Sequence, residues 1–171
     1  IGLPPQQKPH LSYVGDQKPF QNASPELAGF LKEHFPDTRF IHLARHPFAV
    51  VSSCKKFLSK GGWMWKELSE DEIFNRWALV ESWVAREKEK GEIPIHDIRY
   101  EDLVTNPQKE MERLFSFLSL QFSPAILEEA REMTVGHLKK IPFYNVSNLP
   151  LLAMKEHGYG ANGEVEGTIS H

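Results

Sequence analysis

The chain has 171 residues, a formal net charge of −3 and 40% hydrophobic residues, which suits one domain with a real core and leaves little room for two. No apolar run approaches the roughly 20 residues that cross a bilayer, and the near-neutral balance gives no global basic field for nucleic acid, so any anion site must be local. Cys54 is the single cysteine, which excludes an internal disulfide, and the scattered histidines form no HExxH-type pair, so no metal is expected.

The first residue is Ile1, and IGLPPQQKP resembles neither a signal peptide nor a charged targeting segment. The expectation is one partial domain over residues 1–171, starting inside a longer protein. The compartment is left open, with a soluble cytoplasmic chain favoured.

HLSYVGD (10–16) reads as a short strand entering a Gly-Asp turn. In ASPELAGFLKEHFPD, Ser24 is placed as N-cap and Pro25 at the first helical position, with Leu27, Phe30, Leu31 and His34/Phe35 at helical spacing. Pro36-Asp37 ends that helix. RFIHLA (39–44) is a strand with at least one buried face. From Pro47 to Leu58 the apolar set Val50, Val51, Cys54, Phe57 and Leu58 returns to helical period. SKGGWMWKELS (59–69) is a loop carrying Trp63 and Trp65.

Glu70 to Lys90 forms the longest helix, with Ile73, Trp77, Val80 and Val84 as its buried stripe and Gly91 as its stop. IPIHDIRY (93–100) is a third strand. Asn106-Pro107 opens a helix with Met111, Leu114, Phe115 and Leu118 inward, and SPAILEEAREM (123–133) is a further short one. SNLPLLAMKEHGY (147–159) is the last helix, closed by Gly158 in the C′ role. The Gly-rich tail after it reads as a loop.

Strands alternating with helices imply βαβ units, hence an α/β fold with a mainly parallel sheet. Ligands in such sheets bind beyond the carboxyl ends of the strands. Asp16 to Lys18, Arg45, and Tyr100 to Asp102 each lie just past a predicted strand. Arg45 stands at the mouth of a strand-to-helix turn, where a guanidinium fork matches a phosphate with two charge-assisted hydrogen bonds. Ser53 lies about 9 Å up the following helix by rise per residue. The plain alternative is that Arg45 pairs with a carboxylate and Ser53 caps nothing in particular. Lys18 is placed to neutralise a transferred group or is a solvated loop lysine. Tyr100 is placed to stack on a base or is a core edge. Glu101 and Asp102 are general bases by type, but the segment before Pro107 needs capping, and they are read as turn and cap residues.

Taken together, FPDTRFIHLARHPFAVVSS and RYEDLVTNPQKEMERLFSFLSL resemble the sulfotransferase family that uses 3′-phosphoadenosine-5′-phosphosulfate (PAPS). GDQKPF resembles that family's lysine-bearing strand end. The segment from KKIP to HGYGANGE resembles the close of its tyrosylprotein-type and bacterial members. The resemblance spans residues 11 to 162. It implies a P-loop NTPase-like parallel sheet flanked by helices, with the amino-terminal part missing. It also implies that Arg45 and Ser53 bind the 3′-phosphate and that Tyr100 lies against the adenine. Lys139 and Lys140 would belong to a loop closing over the nucleotide, and Lys18 would sit near the sulfuryl group as the catalytic residue. The implied chemistry is in-line transfer of sulfonate from PAPS to a hydroxyl or amine of a small-molecule, glycan or protein acceptor, without a metal. A homodimer is compatible with it.

Three features depart from the family pattern. The Gly/Ser/Thr-rich phosphosulfate loop is absent from these residues. The expected lysine position is Gln17, with Lys18 displaced by one, and neighbours in an extended segment point to opposite sides. The Ser-x-x-x-Trp stretch is missing around Gly136 to Lys140. The base that activates the acceptor is unplaced, and His10 is read as a surface histidine. Two alternatives stand beside the enzyme: a sulfotransferase-like fold kept for binding or dimerisation without catalysis, and a nucleotide kinase, which would need a GxxxxGK[ST] loop.

Overall fold

The computed structural model describes residues 13–16, 23–59, 68–128, 141, 144 and 151–161. In chain order the elements are α1 (Pro25–His34), β1 (Phe40–Ala44), α2 (Pro47–Ser59), α3 (Glu70–Lys90), β2 (Ile95–Arg99), α4 (Tyr100–Thr105) and α5 (Pro107–Phe117). A helical stretch over 124–128 (α6) and α7 (Leu151–Glu156) complete them. Among the described residues β1 and β2 form a two-stranded parallel sheet, in register from Phe40 opposite Ile95 to Ala44 opposite Arg99. The arrangement is a mixed α/β fold with a small parallel sheet flanked by helices. No helix of the described residues is long and apolar enough to cross a membrane.

Local chemistry sets most boundaries. Ser24 Oγ accepts the Leu27 N–H at 3.1 Å and Pro25 opens α1, so one orphan donor is capped and the φ of the first residue is preset. At α3 the Ser69 hydroxyl and the Glu72 carboxylate cap each other's backbone amides, a complete capping box. Gly91 ends that helix at φ 64°. Gly158, at φ 67°, ends α7: its N–H bonds the Lys155 carbonyl at 3.0 Å, and the Tyr159 N–H reaches back to Met154 at 2.9 Å. That pair of bonds is a Schellman motif, and it turns the chain back toward the sheet.

The long helix α3 backs all three core clusters. Its far half brings Trp83 and Val84 against Ala28 of α1 and Ile93, with Phe40 of β1 packed beside them. Ile73 and Phe74, at its start, meet Phe48 and Val51 of α2. Trp77, between them, meets Met154 and Tyr159. Side chains buried as fully as Phe48, Phe74 and Ile73 contribute about 1.5–3 kcal/mol each. Glu87 and Glu110 are also buried, each held by a cation three residues on, Lys90 and Arg113.

Several expected details differ. Residues 13–16 are exposed and form no strand, because no described strand offers them a ladder. Helix α1 docks through the small Ala28, which lets the backbones approach, so Phe30 and Phe35 stand about half exposed instead of facing inward. In α2 Val51 is buried with Phe48, and Val50 and Cys54 pack beside them as expected, but Phe57 is left outside. Tyr100–Thr105 is a helix of its own rather than a turn, and in α5 only Glu110 is fully buried, with Met111, Leu114, Phe115 and Leu118 half-buried. The final helix starts at Leu151 among the described residues, and the rest of its expected span from 147 lies outside them.

Candidate functional site

The parallel pairing brings the carboxyl ends of β1 and β2 side by side, and Arg45 and Tyr100 each follow directly. The Arg45 guanidinium carbon lies 4.3 Å from the centroid of the Tyr100 ring, in cation–π geometry. Its carbonyl accepts the Trp77 indole N–H at 3.1 Å, which fixes the backbone. Its Nε is buried without a hydrogen-bond partner. Among the described residues no carboxylate pairs with this guanidinium.

The nearby acids are engaged elsewhere. Glu101 accepts the His46 backbone N–H at 3.0 Å through one oxygen and the Tyr159 hydroxyl at 3.0 Å through the other. Asp102 takes a two-pronged bond from Arg99, at 2.9 and 2.6 Å. Both carboxylates therefore tie neighbouring segments together; neither caps α4 or α5 as the sequence suggested, since those helices start at Arg99 and Asn106 without a side-chain cap. Burial first, then the charge and hydrogen bond of Glu101, push the Tyr159 phenol far above its ordinary value, so it stays a neutral donor.

His46 is fully buried. Its Nδ1 accepts the Phe48 N–H at 3.2 Å, which places the ring proton on Nε2, facing the Gly160 carbonyl at 3.1 Å. Burial holds its pKa below the ordinary value, with the Gly160 bond and the Glu101 charge offsetting only part of that effect. His46 is thus a neutral side-chain cap of α2. The start of α2 is closed on this account: the His46 and Phe48 amides are taken, and residues 46–49 are buried. These first-turn amides are therefore not open to a phosphate, and the cation at this corner is the Arg45 side chain.

A second polar cluster lies behind. Glu81 of α3 accepts from His157 Nε2 at 2.6 Å and lies 3.4 Å from His42 Nε2, while His42 Nδ1 meets Asp97 at 3.0 Å. Asp97 is also paired with Lys88. Burial raises the Glu81 carboxyl, but the bonds from His157 and His42 together outweigh it and bring its pKa down to about 2. Arg99 Nη1 donates to the His157 carbonyl at 3.0 Å, closing this cluster onto β2.

Of the expected site residues, the structure brings Arg45 and Tyr100 together. Ser53 lies exposed further along α2 and is not drawn into that contact. Lys18, Gln17, Lys139, Lys140, His10, Trp63 and Trp65 lie outside the described residues. Sequence reasoning missed His42, His46, Glu81, Tyr159 and Gly160. Two of them carried a signal: Glu81 sits on the apolar stripe of α3, four residues past Trp77, and His42 alternates inward with Phe40 and Ala44. An ionisable side chain on a core face needs a partner, and each has the other.

Residues 11–124, more than half of the chain, match the sequence profile of the sulfotransferase family. The chain belongs to that family. A solved structure described as "Sulfotransferase Domain from the Curacin Biosynthetic Pathway" is similar in fold, with a TM-score of 0.67 at 22% identity. The likeness covers 85% of this sulfotransferase-family chain and 62% of that structure, so this chain spans less than two thirds of its neighbour's length. A search of curated proteins gave no match.

Proposed function

We propose that this chain carries the 3′-phosphate half of the donor site of a PAPS-dependent sulfotransferase, on a P-loop NTPase-like sheet forming one domain. The reaction is transfer of sulfonate to a hydroxyl or amine acceptor. Family membership supports the reaction class. The observation that carries the site is Arg45: a cation at the strand ends, held on Tyr100, with its Nε unpaired and no carboxylate partner among the described residues. A guanidinium without a carboxylate partner among the described residues fits an anion supplied from outside, and a phosphate is the planar fork's natural complement. In this reading Arg45 receives the 3′-phosphate, with Ser53 as a second donor from α2. The exposed edge of Tyr100 borders the adenine, and Lys18 is the cation expected at the sulfuryl group. Lys139 and Lys140 are assigned to closure over the nucleotide.

PAPS supplies the activated sulfonate, and the residues of this chain bind and orient it. The acceptor, whether small molecule, glycan or protein, is set by loops whose sequences carry no readable code. Calorimetry with adenosine 3′,5′-bisphosphate tests the site. Binding is expected for the wild-type chain and should vanish in Arg45→Ala, while adenosine 5′-monophosphate, lacking the 3′-phosphate, should bind both proteins equally poorly. Equal binding of the bisphosphate by wild type and variant would remove the basis of this assignment.

A further inference from the structure

The residues flanking the corner all grip one short segment. Beside Arg45, His46 bonds the Gly160 carbonyl; beside Tyr100, Arg99 bonds the His157 carbonyl and Glu101 the Tyr159 hydroxyl. Glu81 adds the His157 ring, and Met154, fully buried against Trp77, anchors the helix from which the segment leaves. The Gly158 turn directs the segment there. The groups facing His46 are Glu101 from α4, the Tyr159 ring at 5.0 Å and the Phe48 ring at 5.1 Å.

We propose that His46 is a positioning residue that couples nucleotide binding at Arg45 to docking of the 157–160 segment. His46 is bonded in two directions by one neutral ring. Nδ1 shapes the first turn of α2, to which Arg45 is joined, and Nε2 ties that turn to Gly160. Docking of the segment restricts the turn that presents the guanidinium, so a phosphate engaging Arg45 meets a backbone already ordered. By reciprocity, the phosphate makes the segment harder to release. This rests on the reading of Arg45 as the phosphate ligand.

The test is amide hydrogen exchange of residues 151–160 in the whole 171-residue chain, with and without adenosine 3′,5′-bisphosphate, alongside calorimetry. In the wild type, saturating nucleotide should slow exchange at 157–160 by about fivefold or more, the lower end of ordinary coupling. His46→Asn keeps an acceptor for the Phe48 amide but cannot reach Gly160. It should bind the nucleotide weaker by the same factor and give no protection. His46→Gln, which keeps a donor for Gly160 and loses the cap, should retain the protection. Nucleotide binding without protection in the wild type overturns the coupling and leaves the Arg45 assignment standing. Absence of binding overturns both. Wild-type behaviour of His46→Asn, or lost protection in a folded His46→Gln, removes the role given to the Nε2 bond.

Discussion

A carboxylate buried on α3 decides how this protein responds to acid. Glu81 is held between two histidines, and its pKa of about 2 lies below the ordinary 4.5. A depressed acid stabilises the fold in full above its unfolded value and loses that contribution as pH falls through the folded one. Between about pH 4.5 and pH 2 the chain should therefore lose stability on the order of 3 kcal/mol from this site. His46 acts in the same direction at higher pH. Its pKa is held below 6.5, so the unfolded chain binds a proton there first and stability begins to fall as pH drops below that value. Urea titrations from pH 8 to pH 3 should record two successive losses. Glu81→Gln should flatten the lower one, and an unchanged acid limb in that variant would show that the histidines do not hold Glu81 as described.

The helices and their ends were the most legible part of the sequence, because their signals are local. Ser24-Pro25, the span of α3 and both closing glycines follow from capping chemistry that needs no tertiary partner. What stayed hidden was which face each helix buries. Phe30, Phe35 and Phe57 fit an apolar period, yet the core selects Ala28 and Phe48, since packing distance, not hydrophobicity alone, picks the contact. The two glycine caps separate backbone strain from packing. A Cβ at Gly91 would meet nothing within 4 Å, so Gly91→Ala pays only for its positive φ, about 1 kcal/mol. Gly158→Ala carries the same strain and also displaces Tyr159 from Glu101, leaving a buried carboxylate oxygen without its donor. It should cost at least about 1 kcal/mol more than Gly91→Ala in chemical denaturation. Equal losses would mean that the Schellman turn does not hold Tyr159 in place.

At the scale of the whole molecule, the corner at Arg45 was legible as a position and the network around it was not. Strand-to-helix order put Arg45 and Tyr100 at the same end of a parallel sheet. The ties from His46, Arg99 and Glu101 span 58 to 114 residues of sequence and leave no local pattern to read. Among the described residues the sheet is narrow: β1 carries Ile41 and Leu43 about half exposed on the face away from Phe40 and His42. On the proposed reading the donor site is partial, since the sequence carries no Gly/Ser/Thr-rich stretch of the kind whose amides cradle a phosphosulfate. Each charge-assisted hydrogen bond to an anion contributes about 1.5–3 kcal/mol, so two missing bonds weaken binding by roughly a hundredfold or more. On its own the 171-residue chain is expected to bind adenosine 3′,5′-bisphosphate weakly, through Arg45, and to release no labelled sulfonate to phenolic, sugar or peptide acceptors from PAPS. A transfer assay with radiolabelled donor checks this. Turnover by the isolated chain would mean that the residues present complete the site without such a cradle, and that Arg45 is only one of its phosphate ligands in this chain.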